Sequence, residues 1–330
     1  MCLYDIINIE NDERKIKNMC VITEKLKERF CKDLNLPIKI YQEPFFSERL
    51  YLYDKQYDCV QKYFAFTQLV NRCGGEQQYF ELYNKIKDDA INYLNQNEYM
   101  HFFAKEEDFS KFKIQNIGFP KSDIYHQSNH GKCFISFDMR KGNFTALRHY
   151  DKRIVANCDK YEDFLGLFTK ESHLLYSKYI RQVIFGNVNP KRQVTYEQYL
   201  MDIVLTKVLE YFPKESIVFF STDEIIVEID KEKSEHCYNL SKNIVDFALK
   251  ENIDIRAEIF ILHKIDGIDG YIKKFLFGNS GIEIKSVNHI MMPFVLRKIN
   301  NEEIKENDSV FLYENMLVKL LQVPEINISY

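Results

Sequence analysis

Two acidic strand ends decide how this chain is read: Cys133-Phe-Ile-Ser-Phe-Asp138 and Ile217-Val-Phe-Phe-Ser-Thr-Asp-Glu-Ile-Ile-Val-Glu-Ile229. Each is an apolar run of strand type that stops at, or folds around, an aspartate. A buried strand seldom ends on a carboxylate without a reason, because a desolvated charge is costly unless something pairs with it. Two such ends in one domain point to a divalent cation, since carboxylate-held metals are how proteins move phosphoryl and nucleotidyl groups. The competing reading is plain: aspartate is also a favoured turn former and helix cap.

Around these ends the chain reads as β-α-β-β-α-β. Lys132 to Asp138 is a strand, Tyr161 to Phe185 and Thr195 to Phe212 carry helical spacing, and Ser216 to Ser221 and Glu224 to Ile229 form a hairpin joined at Thr222-Asp223. Lys233 to Lys250 is an amphipathic helix with Cys237, Leu240, Ile244, Phe247 and Ala248 on one face, and Ile255 to His263 alternates as a strand. This order predicts an α+β fold with a ferredoxin-like, split β-α-β antiparallel sheet. In it the first strand neighbours the hairpin, so Asp138 and Asp223 lie close together. Glu224, one residue on, is expected on the opposite face of its strand from Asp223.

Upstream, residues 1–125 read as a mainly helical N-terminal domain. Asn11 to Lys32, Tyr57 to Asn71 and Glu76 to Asn95 are its helices, Cys73-Gly74-Gly75 a stop between two of them, and Ile38 to Tyr53 a place for short extended pieces. Pro120 and the polar run Ser122 to His130 make a linker into a palm-like domain at 126–268. Residues 269–330 form a β-rich extension of short strands and turns, with Gly278-Asn-Ser-Gly281 as a hairpin signal.

With 330 residues the chain can bury a sizeable core, and a net charge of -4 argues against a generally basic nucleic-acid coat while leaving room for a local basic groove. There are 22 Tyr and 26 Phe but no Trp, alongside many Asn, Ile and Lys, the bias that AT-rich coding produces; it would suit a viral or phage source. The eight cysteines, at 2, 20, 31, 59, 73, 133, 158 and 237, form no CxxC or Cys/His knuckle, so a zinc site is not expected and reduced core thiols are. The start lacks a secretory signal and no window reaches the apolar length of a membrane span, so an intracellular (cytoplasmic), soluble protein without a membrane partner is expected.

The residues at the strand ends resemble the palm domain of template-directed polymerases and related nucleotidyltransferases. Phe-Asp138-Met-Arg-Lys-Gly-Asn-Phe is similar to motif A, and Ser-Thr-Asp223-Glu224-Ile-Ile-Val-Glu to motif C. Between them Arg181-Gln-Val-Ile-Phe185-Gly186 resembles motif B of family A DNA polymerases. The resemblance covers roughly residues 132 to 265. Thr222 stands where that family has a histidine, Ser177 where motif B has an earlier basic residue, and the interval from Phe185 to Asp223 leaves out most of a fingers subdomain. The tRNA-His guanylyltransferases, with a Ser-Asp-Glu hairpin, and the reverse transcriptases are similar in the same two strands.

The resemblance implies Mg²⁺ or Mn²⁺ held by Asp138, the Met139 carbonyl and Asp223, with Glu224 as an alternative ligand. It implies Arg181, Lys178, Arg140 and Lys141 on the phosphates of a nucleoside triphosphate and Phe185 against the base. Arg148, Lys152, Arg153, Lys191 and Arg192 are further nearby cations, and a solvated face is the competing reading for each. His149 and His173 read as packed or surface residues. Lys273, Lys274 and Lys285 are weighed as a primer grip, and Phe45, Phe46, Tyr51, Tyr53, Tyr63 and Phe64 as core before stacking platforms. The expected function is a polymerase-like nucleotidyltransferase acting on a DNA or RNA 3′ end. The alternatives are a palm-derived binding or assembly protein without catalysis, and a cyclase or tRNA-end enzyme.

Overall fold

The computed structural model describes residues 21–105, 109–278 and 281–329. The chain is α+β: a helical N-terminal region precedes an antiparallel six-stranded sheet. The N-terminal helices are α1 (Glu24–Leu34), α2 (Phe45–Tyr57), α3 (Val60–Cys73), α4 (Glu76–Gln96) and α5 (Glu98–Lys105). Thr23 caps α1 by accepting from the Leu26 N–H, and Gly74, left-handed at φ 99°, ends α3. The stretch expected to hold extended pieces, Ile38 to Tyr53, is irregular over residues 38–44 and helical from Phe45 on, in α2. Its inner face contains Arg49, whose buried guanidinium pairs with Asp308 at 2.9 Å, so a charge interrupts what would otherwise be an apolar stripe. Residues 11–20 of the first expected helix, Cys2, Cys20 and the 279–280 turn lie outside the described residues.

The sheet runs in the order β2 (Ile217–Phe220), β3 (Glu224–Ile229), β1 (Cys133–Met139), β4 (Ile255–Lys264), β5 (Tyr271–Phe275) and β6 (Ile282–Lys285). Between β1 and β2 come α6 (Gly142–Tyr150), α7 (Tyr161–Leu165), α8 (Ser172–Leu175), α9 (Lys178–Gly186) and α10 (Pro190–Val208). The run Tyr161 to Phe185, expected as helical throughout, is thus three short helices. The first break runs from Gly166 past the buried Thr169, whose hydroxyl accepts from the Glu171 N–H, and the second is at Tyr176-Ser177, where Ser177 caps the third helix. Between β3 and β4 lies α11 (Ser234–Lys250). After the sheet come α12 (Met292–Ile299) and a separate hairpin of β7 (Val310–Tyr313) with β8 (Met316–Lys319).

Side-chain alternation in β1 fixes the layers. Cys133, Ile135, Phe137 and Met139 point into the main core against the helices, with Ile225 and Val227 of β3 and Ile255, Ile259 and Ile261 of β4. Phe134 points the other way, into a small core of Ile226, Phe260, Leu262 and Tyr271 that the linker closes with Ile124. Beyond that cover the outer face turns polar, beginning at Ser136 and Asp138. β1 reads as almost continuously apolar because both faces are covered for most of its length.

The C-terminal part is tied in at both ends. β5 and β6 extend the sheet, and Met292 and Leu296 of α12 enter the N-terminal core. Asp308, nearly inaccessible, accepts from Arg49 Nη1 at 2.9 Å and from Arg297 Nε at 3.0 Å. All six described cysteines are free thiols, and burial pushes Cys31 and Cys59 up to about 12. No helix is long and apolar enough to cross a membrane among the described residues.

Candidate functional site

Asp138 is the next-to-last residue of β1, and its cross-strand partner on β3 is Glu224. The Met139 N–H donates to the Asp223 carbonyl at 2.7 Å, so the β2–β3 turn is stapled to the end of β1. Within the turn, the Ser221 hydroxyl donates to Asp223 Oδ1 at 3.1 Å. The two acidic strand ends therefore meet at one rim of the sheet. Just after β1 the chain turns sharply: Lys141 sits at φ 50°, a left-handed conformation uncommon for a side-chain-bearing residue, and α6 starts at Gly142.

A cleft of about 630 Å³ opens at this rim. Its floor carries Asp138, Asp223 and Arg256, one wall carries Lys178, Arg181 and Gln182 of α9, and the β6 side carries Glu283 and Lys285. Arg140, Lys141 and Met139 line it as well. A larger hollow of about 760 Å³ lies between α12 and residues 323–327 and shares no lining residue with this cleft.

The cleft also contains Glu197, which the sequence reading missed. It projects from α10 against Gly142, where an added Cβ would stand 3.2 Å from the Glu197 carboxyl carbon. That glycine leaves the room the carboxyl occupies. Burial, reinforced by the negative charge of Asp223, pushes Glu197 up to about 7. Burial likewise raises Asp138, against the opposing pull of Arg256 and with a further upward push from Asp223. Desolvation is thus the main cause at both carboxyls, and Asp223 adds to it at each.

Arg256 on β4 faces Asp138 in register and donates from Nε to Asp138 Oδ2 at 2.8 Å. Its Nη1 is 3.1 Å from Glu258. On the wall, Ser177 caps α9 by accepting from the Ile180 N–H and donates to buried Asp33 at 2.7 Å. His173 Nε2 meets the other Asp33 oxygen at 3.0 Å, so α1 grips the start of the helix that carries Lys178 and Arg181. Arg181 Nε is buried with no hydrogen-bond partner, and the guanidinium lies 5.8 Å from the Tyr161 ring centre. Desolvation lowers its pKa, against the raising effect of Tyr161 and Glu162.

Several expected residues are engaged elsewhere. Phe185 is fully buried among Phe144, Tyr161 and Phe164 and does not line the cleft, so its placement does not suit packing on a base. Glu224 lies on the same sheet face as Asp138 but below the cleft, where it accepts from Ser136 and stands 3.8 Å from Lys273. Lys141 is paired with Glu162. Lys273 is almost wholly buried over Phe260, which removes it from a primer grip, whereas Lys285 reaches the cleft. Arg148 binds the Asp159 and Asn252 carbonyls, Arg192 binds the Phe103 carbonyl, and His149 packs on Tyr196. Phe46 and Tyr53 are core, while Tyr51 and Phe64 are exposed.

Among the described residues, no group of three or more His, Cys, Asp and Glu side chains is arranged as a metal cluster. Two carboxylates and a strand-end carbonyl are what the floor offers, all hard oxygen donors of the kind Mg²⁺ and Mn²⁺ accept. No protein-family model, curated protein or solved structure matches the chain.

Proposed function

We propose that the protein is a palm-type nucleotidyltransferase, working at the cleft between the two acidic strand ends and α9. The observation that carries this reading is the meeting of Asp138 and Asp223 on one floor beneath a wall bearing Lys178 and Arg181. Support for a palm also comes from strand order: β2-β3-β1-β4 is the order of a split β-α-β sheet. Two carboxylates and a strand-end carbonyl at one rim are hard oxygen donors, so the donor set fits Mg²⁺ or Mn²⁺. Asp138, Asp223 and the Met139 carbonyl would hold it. A bound cation of this kind supplies electrophilic stabilisation of phosphoryl charge and eases ionisation of an attacking hydroxyl.

The chain's own residues account for substrate binding. Arg181, whose Nε has no hydrogen-bond partner, with Lys178 one turn earlier, is suited to a triphosphate, which needs several donors and gains most from an arginine fork. Arg140 lines the same cleft, with Nη1 4.0 Å from Asp254. Asp223, fixed through the Met139 N–H and the Ser221 hydroxyl, stays in place as charge builds on the substrate. Glu224, through Ser136 and Lys273, braces the hairpin from below. The acceptor is a nucleic-acid 3′ end in this reading, reaching the open side of the cleft near Lys285.

Asp138→Ala and Asp223→Ala are each expected to abolish nucleotide incorporation in Mg²⁺ or Mn²⁺ while the far-ultraviolet circular dichroism stays unchanged. Activity retained in both variants refutes the assignment. A second reading, a palm-derived binding or assembly protein without catalysis, draws on the Arg256 pair that occupies Asp138. Incorporation that depends on Asp138 would exclude it.

A further inference from the structure

The Arg256–Asp138 pair poses a conflict for a cation site, because guanidinium and metal compete for the same carboxylate oxygen. We infer that Arg256 is an exchangeable counter-ion of the site: it neutralises Asp138 when no cation is bound, and turns its fork to the substrate's phosphates when a cation takes that carboxylate. The inference rests on the nucleotidyltransferase reading and deepens it.

Three observations carry it. Arg256 sits directly opposite Asp138 in the β1–β4 register, and its Nε is 2.8 Å from Oδ2, so a cation drawing on that oxygen meets the guanidinium. Two positive charges about 4 Å apart repel even where solvent reaches them. Second, the same guanidinium is held by Glu258 at 3.1 Å, two residues along the strand on the same face. Losing Asp138 therefore leaves Arg256 tethered at the cleft instead of free in solvent. Third, its side chain is 44 % exposed and lines the cleft, so the fork has room to turn. A planar guanidinium released beside a triphosphate matches two phosphate oxygens at once, which a lysine does not.

A purely structural salt bridge predicts effects of one sign, and an exchangeable counter-ion predicts opposite signs. The full-length protein is titrated with Mn²⁺ in a calorimeter, and then with a non-hydrolysable nucleoside triphosphate analogue at saturating Mn²⁺. Wild type is compared with Arg256→Gln, Arg256→Lys and Asp138→Asn. Arg256→Gln is expected to bind Mn²⁺ about fivefold more tightly, the size of losing one half-exposed competing pair. It should bind the analogue about tenfold more weakly, the size of losing one charge-assisted contact. Arg256→Lys keeps the strand's charge and guards against misfolding; it should hold Mn²⁺ as wild type does and lose part of the analogue affinity. Unchanged or weaker Mn²⁺ binding by Arg256→Gln, with wild-type binding still dependent on Asp138, overturns the exchange and leaves the function reading standing. Absence of Asp138-dependent Mn²⁺ binding in wild type overturns both.

Discussion

Replacing Glu197 with glutamine should stabilise this protein at alkaline pH and leave it unchanged in acid. Glu197 is pushed from 4.5 up to about 7, first by burial and then by Asp223. Below 4.5 the carboxyl is protonated in folded and unfolded chains alike and contributes nothing to their difference. Between the two values the folded state holds a proton that the unfolded chain has released, so stability falls as pH rises, and it levels off above about 7. The gap is about 2.5 pH units at about 1.4 kcal/mol each, an upper bound of about 3.5 kcal/mol. Part of the side chain still meets solvent, whose screening brings the expected penalty to about 2 kcal/mol. Glutamine has the shape of the protonated acid and never ionises, so it removes that penalty.

The assay is urea denaturation of wild type and Glu197→Gln at pH 4.5 and pH 8, read as the difference of differences so that all other titrating groups cancel. A gain of about 2 kcal/mol at pH 8 and no more than about 0.4 kcal/mol at pH 4.5, where half of the unfolded carboxyl is still protonated, is expected. Combining it with Asp223→Asn should shrink the gain, because one of the two causes is then gone. An equal offset at both pH values, or a loss at pH 8, would refute the placement of Glu197 as a buried carboxyl facing Asp223.

Other outcomes follow from the same geometry. Asp308→Ala strands the buried Arg49 and Arg297 guanidinium groups and should cost about 3–5 kcal/mol in chemical denaturation. Arg181→Ala should weaken a triphosphate by about tenfold or more with no loss in Tm, since it removes a buried nitrogen that has no partner. Phe185→Leu should do the reverse: it opens space in the core at about 1–2 kcal/mol and leaves nucleotide affinity as it was.

What could be read from the chain was what side-chain period records. The strands holding Asp138 and Asp223 were legible from uninterrupted apolar runs, and α11 from its 3.6-residue spacing. Their antiparallel pairing followed from element order. Helix α2 was not legible because Arg49 faces inward, and only Asp308, far along the sequence, explains why a charge can sit there. Glu197 was missed for a related reason. On an amphipathic helix a glutamate reads as solvated face, and the space it enters exists only because Gly142, from another helix, lies against it. Arg256 alternates properly for a half-exposed strand, so nothing local marks it as Asp138's partner. Phe185 fitted a motif by type and spacing, yet it lies one turn beyond Arg181 on the same side of α9, where the core covers the helix, while Arg181 lines the cleft. Spacing fixes which residues share a face, and packing decides which face is wet.

The most direct test of the central claim is one reaction. Purified protein is incubated with Mn²⁺ or Mg²⁺, labelled ribo- or deoxyribonucleoside triphosphates, and primed or unprimed DNA and RNA, and the products are resolved by length and by mass. The account predicts an acceptor strand lengthened by at least one nucleotide with pyrophosphate released, lost in Asp138→Ala and in Asp223→Ala. Triphosphates left intact with every acceptor, or converted only to a cyclic product with no strand extended, would contradict it.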